Sequence, residues 1–518
     1  MHLVQSPRSL DHMISPRHRQ RRDPPVRHKS DSAPDIQPRC AMSGCECFQD
    51  YGYQESLSVW NQCAPRVYLC VVLCFPFDNE RREGAVQHIH HALRRLAAER
   101  PIFASRLHPG QHGKIIIGRS RAHSIPFEVA DNIDDGLSHY GELRDEEFPP
   151  ARFIHSRFGI PGGMDPLSPR PVSKVQAAFT NGGLLLSIYL HHSLADGASL
   201  RVFLESFGNA TRDITSDLPS DQKLRIPGVR SSCTHSHKLL DTSAFKRLMT
   251  SCPEYTTLPD LSGPTQPRFY KVGTPISEID RVGKIFVFKT EQLQELRELI
   301  KEKNESAERP TAYTSLAALA FAHITEAQTN ATGFLDGIEP SPYPSLWNSV
   351  NWRTRAFPGA TDDYFGNAAL PVLTKASREQ LIDVCRDDRA LAQLAIQVRQ
   401  SIDAVDEDHV SRRMAMMAQA PDPRILGVNY DPRSPECLAF NTWRHFGADV
   451  EWNIPGVSVT KPDAIRRASG GWNMGSALIL PARADSTQQE LFVSLSVDAM
   501  RLLCQDERWM RWVDRVIG

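Results

Sequence analysis

The chain has 518 residues, 41% hydrophobic and 23% charged, with a formal net charge of −1. That length and apolar content allow a large core and imply two or more domains, while the balanced charge removes the long-range pull that nucleic acid or anionic lipid would exploit. No apolar stretch approaches the ~20 residues of a membrane span, so neither nucleic acid nor membrane is expected as a partner.

Residues 1–55 are rich in Pro, Arg, His and Ser without a sustained apolar period, which predicts a disordered tail. The N-terminus carries no secretory h-region, and Asp11, Asp23, Asp31 and Asp35 argue against an organellar transit peptide, so a cytoplasmic protein is expected. The 11 cysteines are scattered, as reduced thiols would be. Cys40, Cys45 and Cys47 lack the paired spacing of a zinc site, and no metal is expected.

Order begins with RVYLCVVLCFPF, an apolar run of strand length. A helix follows, on which Val86, Ile89, Leu93 and Leu96 recur at helical spacing until Pro101 ends it. PVSKVQAAFTNGGLLLSIYL reads as two strands joined at Asn181-Gly182-Gly183. After Asp196-Gly197 the spacing of Leu200, Phe203, Leu204 and Phe207 predicts a helix. The stretch from about 210 to 275 has little periodicity, apart from a short amphipathic piece at SAFKRLM, and suits a crossover between domains.

GKIFVFKTEQLQELRELIKE then predicts a strand and a helix capped by Thr290. Another helix runs through SLAALAFAHITEAQ, and GSALILP reads as a strand. The whole is two α/β halves joined by a linker.

The histidines of YLHHSLADGASL stand at the junction of the buried strand and the helix, where α/β domains commonly place chemistry. Side chains 191 and 192 point to opposite faces of a strand, so at most one imidazole faces a given cleft. A neutral imidazole there can take a proton from a hydroxyl, amine or thiol. Asp196 either orients the ring or pairs with a distant cation, and Gly197 supplies freedom in the turn. No G-x-S-x-G elbow accompanies the motif, and Ser193 diverges from His192 on an extended chain, so the imidazole is expected to act directly on substrate.

His192-Ser-Leu-Ala-Asp196-Gly197 resembles the H-x-x-x-D-G motif of the BAHD acyltransferases. With His191 it also resembles the H-H-x-x-x-D-G motif of peptide condensation domains. AAERPIFASRL, GKIFVFKTEQLQELREL, VNWRTRAFPGATDDYFGNAAL and the C-terminal GSALILPAR with LFVSLSVDAMRLLCQDERWMRW are similar to the fungal BAHD branch that includes trichothecene 3-O-acetyltransferase. The likeness runs over about 65–518. One departure is Asp449-Val450-Glu451-Trp452-Asn453, which stands where plant members have D-F-G-W-G; both glycines are replaced.

The resemblance implies two chloramphenicol-acetyltransferase-like domains, each a mixed β-sheet flanked by helices, with the active-site channel at their interface. The expected division is a tail at 1–55, an N-terminal domain at 56–212, a linker at 213–278 and a C-terminal domain at 279–518. Acyl-CoA, with acetyl-CoA as the first choice, would meet a small-molecule acceptor at His192 in a monomer, without a permanently bound cofactor. His192 would be the general base, and Asp196 would pair with Arg353. Asn351, Tyr364, Gly366 and Asn367 would support the site, Asp449 would be structural, and Trp452 would form a wall or an N–H donor near the oxyanion. Thr314 and Ser315, at the start of a predicted helix, would meet a CoA phosphate or serve as helix caps. Two alternatives stay open: a condensation-type or cyclising enzyme with a carrier-bound acyl donor, and a non-catalytic metabolite-binding member.

Overall fold

The computed structural model describes residues 53–119, 124–130, 137, 139–159, 169–215, 242–257, 274–304, 310–331, 343–356 and 363–518. Two large sheets organise them. Their strands, in chain order, are β1 (Tyr68–Pro76), β2 (Phe127–Ala130), β3 (Ser173–Thr180), β4 (Gly183–His191), β5 (Arg281–Lys289), β6 (Ser345–Asn351), β7 (Ala369–Lys375), β8 (Cys437–Thr442), β9 (Ala464–Arg467), β10 (Ser476–Ile479), β11 (Gln488–Ser496) and β12 (Arg515–Ile517). The helices that matter below are α1 (Val59–Cys63), α2 (Arg82–Glu99), α3 (Gly197–Thr211), α4 (Thr290–Lys303), α5 (Ala312–Asn330), α6 (Arg378–Val384) and α7 (Val497–Gln505).

The first sheet has the order β9-β1-β4-β3-β2 and the second β7-β6-β8-β10-β11-β5-β12. Both are mixed: β2 runs parallel to β3, and β8 runs parallel to β6 and β10, among otherwise antiparallel pairs. β4 is buried along its whole length, as its continuous run GLLLSIYLH requires. Alternation along the strands builds the layers. On β1, Val71, Leu73 and Phe75 enter a core shared with α2 and α3, while Cys70, Val72 and Cys74 enter a smaller core on the other face.

The same alternation ties the two sheets together. On β5, Ile285 and Val287 join the core of the first sheet, whereas Phe286 and Phe288 face the helical core with α4, α5 and α7. The second sheet is thus covered on both faces, one of them by the first half of the chain.

Three features bear on the expected division of the chain. The expected tail 1–55 lies outside the described residues except at its end, where Tyr53–Ser56 forms a strand paired with Ile116–Arg119. The expected linker 213–278 contains a helix, Thr242–Thr250, and a strand, Tyr255–Thr257, paired with Leu426–Val428; 216–241 and 258–273 lie outside the described residues. The segment 279–518 does not keep to its own sheet, since β9 pairs with β1 at the edge of the first one. α1 makes the reverse crossing, with Trp60 packed in the helical core at 5.4 Å from Trp352.

One helix start also shifts. Lys289, not Thr290, is the N-cap residue of α4, and Gln292 Oε1 accepts its backbone N–H at 2.9 Å. Among the described residues, no helix is long and apolar enough to cross a membrane.

Candidate active site

β4 ends at His191, and α3 begins six residues later with Asp196 as its N-cap. The two histidines part as strand geometry requires. His191 is buried, stands edge-on to Tyr68 at 4.8 Å, and its Nδ1 accepts the Ser193 amide at 3.2 Å. Burial first, then the charge of Arg170, pushes its pKa down to about 3, so it is a neutral packing residue.

His192 is half-buried. Its Nδ1 is inaccessible and has no hydrogen-bond partner of good geometry among the described residues. Burial lowers its pKa, and its own carbonyl, Asp196 and Asn367 only partly oppose this, which favours the neutral ring. Its backbone is fixed from the other half of the chain: Asn367 Nδ2 donates to the His192 carbonyl at 2.7 Å.

Asp196 does not serve the imidazole as a relay. Its Oδ1 accepts from the Ser199 amide (3.0 Å), the Ser199 hydroxyl (3.1 Å) and Arg353 Nη2 (2.9 Å). Its Oδ2 accepts from Arg353 Nη1 (2.9 Å) and the Ala368 amide (2.9 Å). Burial raises this carboxyl's pKa, but the bidentate Arg353 and the two amides outweigh it and hold the group below the usual carboxylate value.

Arg353 is 0% exposed and spends its other donors on the Tyr364 carbonyl, the Gly366 carbonyl at 2.6 Å and Asn351 Oδ1 at 3.2 Å. Its guanidinium lies 5.5 Å from the centre of the Tyr364 ring. Asn351, Arg353 and residues 364–368 are therefore bound to the β4–α3 junction around one buried ion pair, with Ser199 bridging to Gly366 at 3.0 Å.

Gly197 has a different reason from the one expected. It is the first residue of α3 with an ordinary helical backbone, and a Cβ there would lie 2.6 Å from the Phe446 ring. Close approach, not turn freedom, excludes a side chain.

The other expected residues fall elsewhere. Trp452 packs edge-on between Phe75 (6.0 Å) and Phe207 (5.1 Å) in the core of the first sheet, and its indole N–H has no partner among the described residues. It is a wall of that core. Asp449 is exposed and structural, accepting from Lys461 Nζ (3.2 Å) and the Ala484 amide (2.9 Å). The replaced glycines cost this loop nothing in backbone terms: its left-handed residues are Gly447 (φ +93°) and Gly456 (φ +89°), which flank Asp449–Asn453.

Thr314 and Ser315 do not open their helix. Thr311 is the N-cap of α5, and its hydroxyl accepts the Thr314 amide at 3.1 Å. The Ser315 amide and hydroxyl both donate to the Thr311 carbonyl. Helix capping occupies both residues, so the expected phosphate contact has no free donors at these positions.

Two members of the site escaped the sequence reading. Asn61 on α1, 4% exposed, accepts both the Asn367 amide (2.8 Å) and Asn367 Nδ2 (3.0 Å), so the first described helix helps to set the His192 carbonyl. Ser199, completely buried, is the other. Its place three residues after the N-cap Asp196 is a signal that capping rules contain; Asn61 had no such signal.

Comparison with known proteins gives a consistent outcome. A family profile described as Transferase family matches residues 54–510. Acyltransferase easC of Emericella nidulans is 23% identical over 480 residues, covering 88% of this chain and 94% of that protein. Trichothecene 8-O-acetyltransferase of Fusarium sporotrichioides is 21% identical over 465 residues, covering 83% and 92%. Among solved structures, F. graminearum TRI101 complexed with coenzyme A and deoxynivalenol superposes with a TM-score of 0.69 at 16% identity over 90% of this chain and 100% of that one. Vinorine synthase gives 0.55 at 17% identity over 90% and 95%.

Proposed function

The chain belongs to the transferase family of BAHD-type acyltransferases, and from that premise we propose that it moves an acyl group, acetyl first among candidates, from coenzyme A to a hydroxyl or amine of a small secondary metabolite, with His192 as general base. One observation carries the reading. His192 is a half-buried imidazole with a lowered pKa whose backbone is clamped by Asn367, beside a carboxylate already saturated by Arg353. Such a ring is neutral at physiological pH and acts on substrate without a relay.

The step balances simply. The acceptor O–H or N–H proton passes to His192 as the acceptor atom attacks the thioester carbonyl carbon, giving a tetrahedral oxyanion. The C–S bond then breaks, and the leaving CoA thiolate takes the proton back from the imidazolium. No covalent enzyme intermediate is needed. The relatives named as O-acetyltransferases, acting on trichothecene and eremophilane skeletons, support acetyl as the group and a hydroxyl as the first acceptor to try.

The test is release of free CoA from acetyl- to longer-chain acyl-CoA by purified protein, with a pool of hydroxylated metabolites, wild type against His192→Ala. Acceptor-dependent release that collapses in a folded mutant supports acyl transfer through His192. Equal background in both proteins overturns the CoA reading and turns attention to carrier-bound donors.

A further inference from the structure

Away from the β4–α3 junction, one buried group of side chains has the composition of a metal centre. α5 carries His323 and Glu326 one helical turn apart, and the chain brings Cys385, the C-cap of α6, against them. One ligand atom of each lies within 4.8 Å of the other two. His323 and Cys385 are buried and Glu326 is half-buried. Burial pushes the Cys385 thiol up, and Glu326 accepts from it.

The imidazole is held from behind. His323 Nδ1 pairs with Asp506 Oδ2 at 2.5 Å. Asp506 is itself anchored, because its Oδ1 accepts the Arg508 amide at 3.0 Å and the Trp509 amide at 3.1 Å. With Nδ1 engaged, Nε2 is the ring nitrogen left to offer a lone pair, the arrangement by which carboxylates orient metal-bound histidines.

We propose that His323, Glu326 and Cys385 bind one zinc-class divalent cation, with Asp506 as the orienting partner of His323 and water in the fourth position. The donor set decides the class. Calcium and magnesium take oxygen ligands, whereas nitrogen, thiolate and carboxylate together suit zinc. Charge fits as well, since the Cys385 thiolate and the Glu326 carboxylate, as direct ligands, match the charge of a dication. Ligand atoms of a tetrahedral zinc stand about 3.3–3.8 Å apart, given bonds of about 2.0–2.3 Å, so from separations of up to 4.8 Å the groups draw in by about 1.5 Å at most. The thiol proton is released to solvent on binding. The ion would join α5, the end of α6 and the residue after α7, three segments distant in sequence, and has no part in acyl transfer.

The experiment is titration of the chelator-treated full chain with Co²⁺, read as the near-ultraviolet thiolate-to-cobalt charge-transfer band and the visible ligand-field bands, followed by displacement with Zn²⁺. One equivalent should bind. Zn²⁺ should abolish the band, Cys385→Ser should lack it with an unchanged far-ultraviolet circular dichroism spectrum, and Glu326→Gln should bind at least tenfold more weakly. Absence of the band in the wild type overturns the proposal. So does a band that survives Cys385→Ser, which assigns the ion to other thiols such as Cys40, Cys45 and Cys47. Should the Ser variant not fold, an unchanged affinity in Glu326→Gln overturns it equally.

Discussion

Replacing Asp196 by Asn removes one charge and almost no volume, yet it strikes the point where the two halves of the chain meet. The wild-type carboxylate accepts five hydrogen bonds, three on Oδ1 and two on Oδ2, and every neighbour is a donor. Whichever way the new amide turns, its NH₂ faces Arg353 and a backbone N–H, so at least two acceptor positions become donor against donor. Arg353, with no exposure, is left without its counter-charge. Breaking a buried pair in this way costs about 3–5 kcal/mol, roughly a 10²- to 10³-fold or greater shift in the folded population at ~1.4 kcal/mol per tenfold.

The assay is urea unfolding followed by tryptophan fluorescence, with acyl transfer measured on the folded fraction. The deficit should also depend on pH with a definite sign. The folded carboxyl titrates below the unfolded value of about 3.9, so its contribution is complete above that value and is lost as pH falls through the folded pKa. Mutant and wild type should therefore converge in stability in acid. A variant within about 1 kcal/mol of wild type that has lost a hundredfold or more in transfer would refute this reasoning and put Asp196 in the proton path.

His192→Ala should lower kcat/KM by about 10²- to 10⁴-fold with the fold intact, while His191→Asn, whose side-chain oxygen can still accept the Ser193 amide, should cost less than tenfold; equal losses would contradict the division of roles drawn between the two rings. The acid limb of the wild-type kcat/KM profile should fall below pH 6.5, because burial lowers the His192 pKa and the base stays neutral further into acid; an acid limb at or above 6.5 is the contrary result. Asn367→Ala removes the donor to the His192 carbonyl, at about 1–3 kcal/mol for a buried group left unpaired, while Asn61 Oδ1 keeps the residue-367 backbone amide; it should reduce kcat more than it changes KM, with Asn61→Ala non-additive to it in a double-mutant cycle. Gly208→Ala, inside α3, gains up to ~1 kcal/mol in helix propensity, but its Cβ would stand 2.4 Å from Val450 and 2.7 Å from the Glu451 carbonyl; overpacking costs about 1–3 kcal/mol, so a drop in the melting temperature is expected where propensity alone predicts a rise.

What the sequence disclosed follows the range of the interaction involved. β4, the junction and α3 were legible because period-2 and helical patterns are local and β4 is buried on both faces. Arg353 lies 157 residues from Asp196 and was named only through family likeness, since an ion pair between distant segments leaves no periodic trace. Asn61, 306 residues from Asn367, left neither a pattern nor a motif. Thr314 and Ser315 were misplaced by one helical turn because Thr311 supplied the earlier cap. Trp452 was read as a wall or an N–H donor near the oxyanion from its place in a loop motif; which core it walls depends on two aromatic neighbours from β1 and α3, distant contacts that leave no local pattern. The membership of β9 was illegible for a related reason: four residues carry enough pattern to suggest a strand but none to say which sheet it completes.

That strand has a consequence for how the protein is made. β1 emerges from the ribosome roughly 390 residues before its edge partner β9, and at about 5–20 residues per second translation takes roughly 20–80 s to supply it. Throughout that interval the outer edge of β1 displays the unpaired amides and carbonyls on which strands of neighbouring nascent chains can aggregate. Holdase occupancy on ribosome-bound chains, mapped against chain length, should persist until β9 has cleared the exit tunnel, well after the first half is complete.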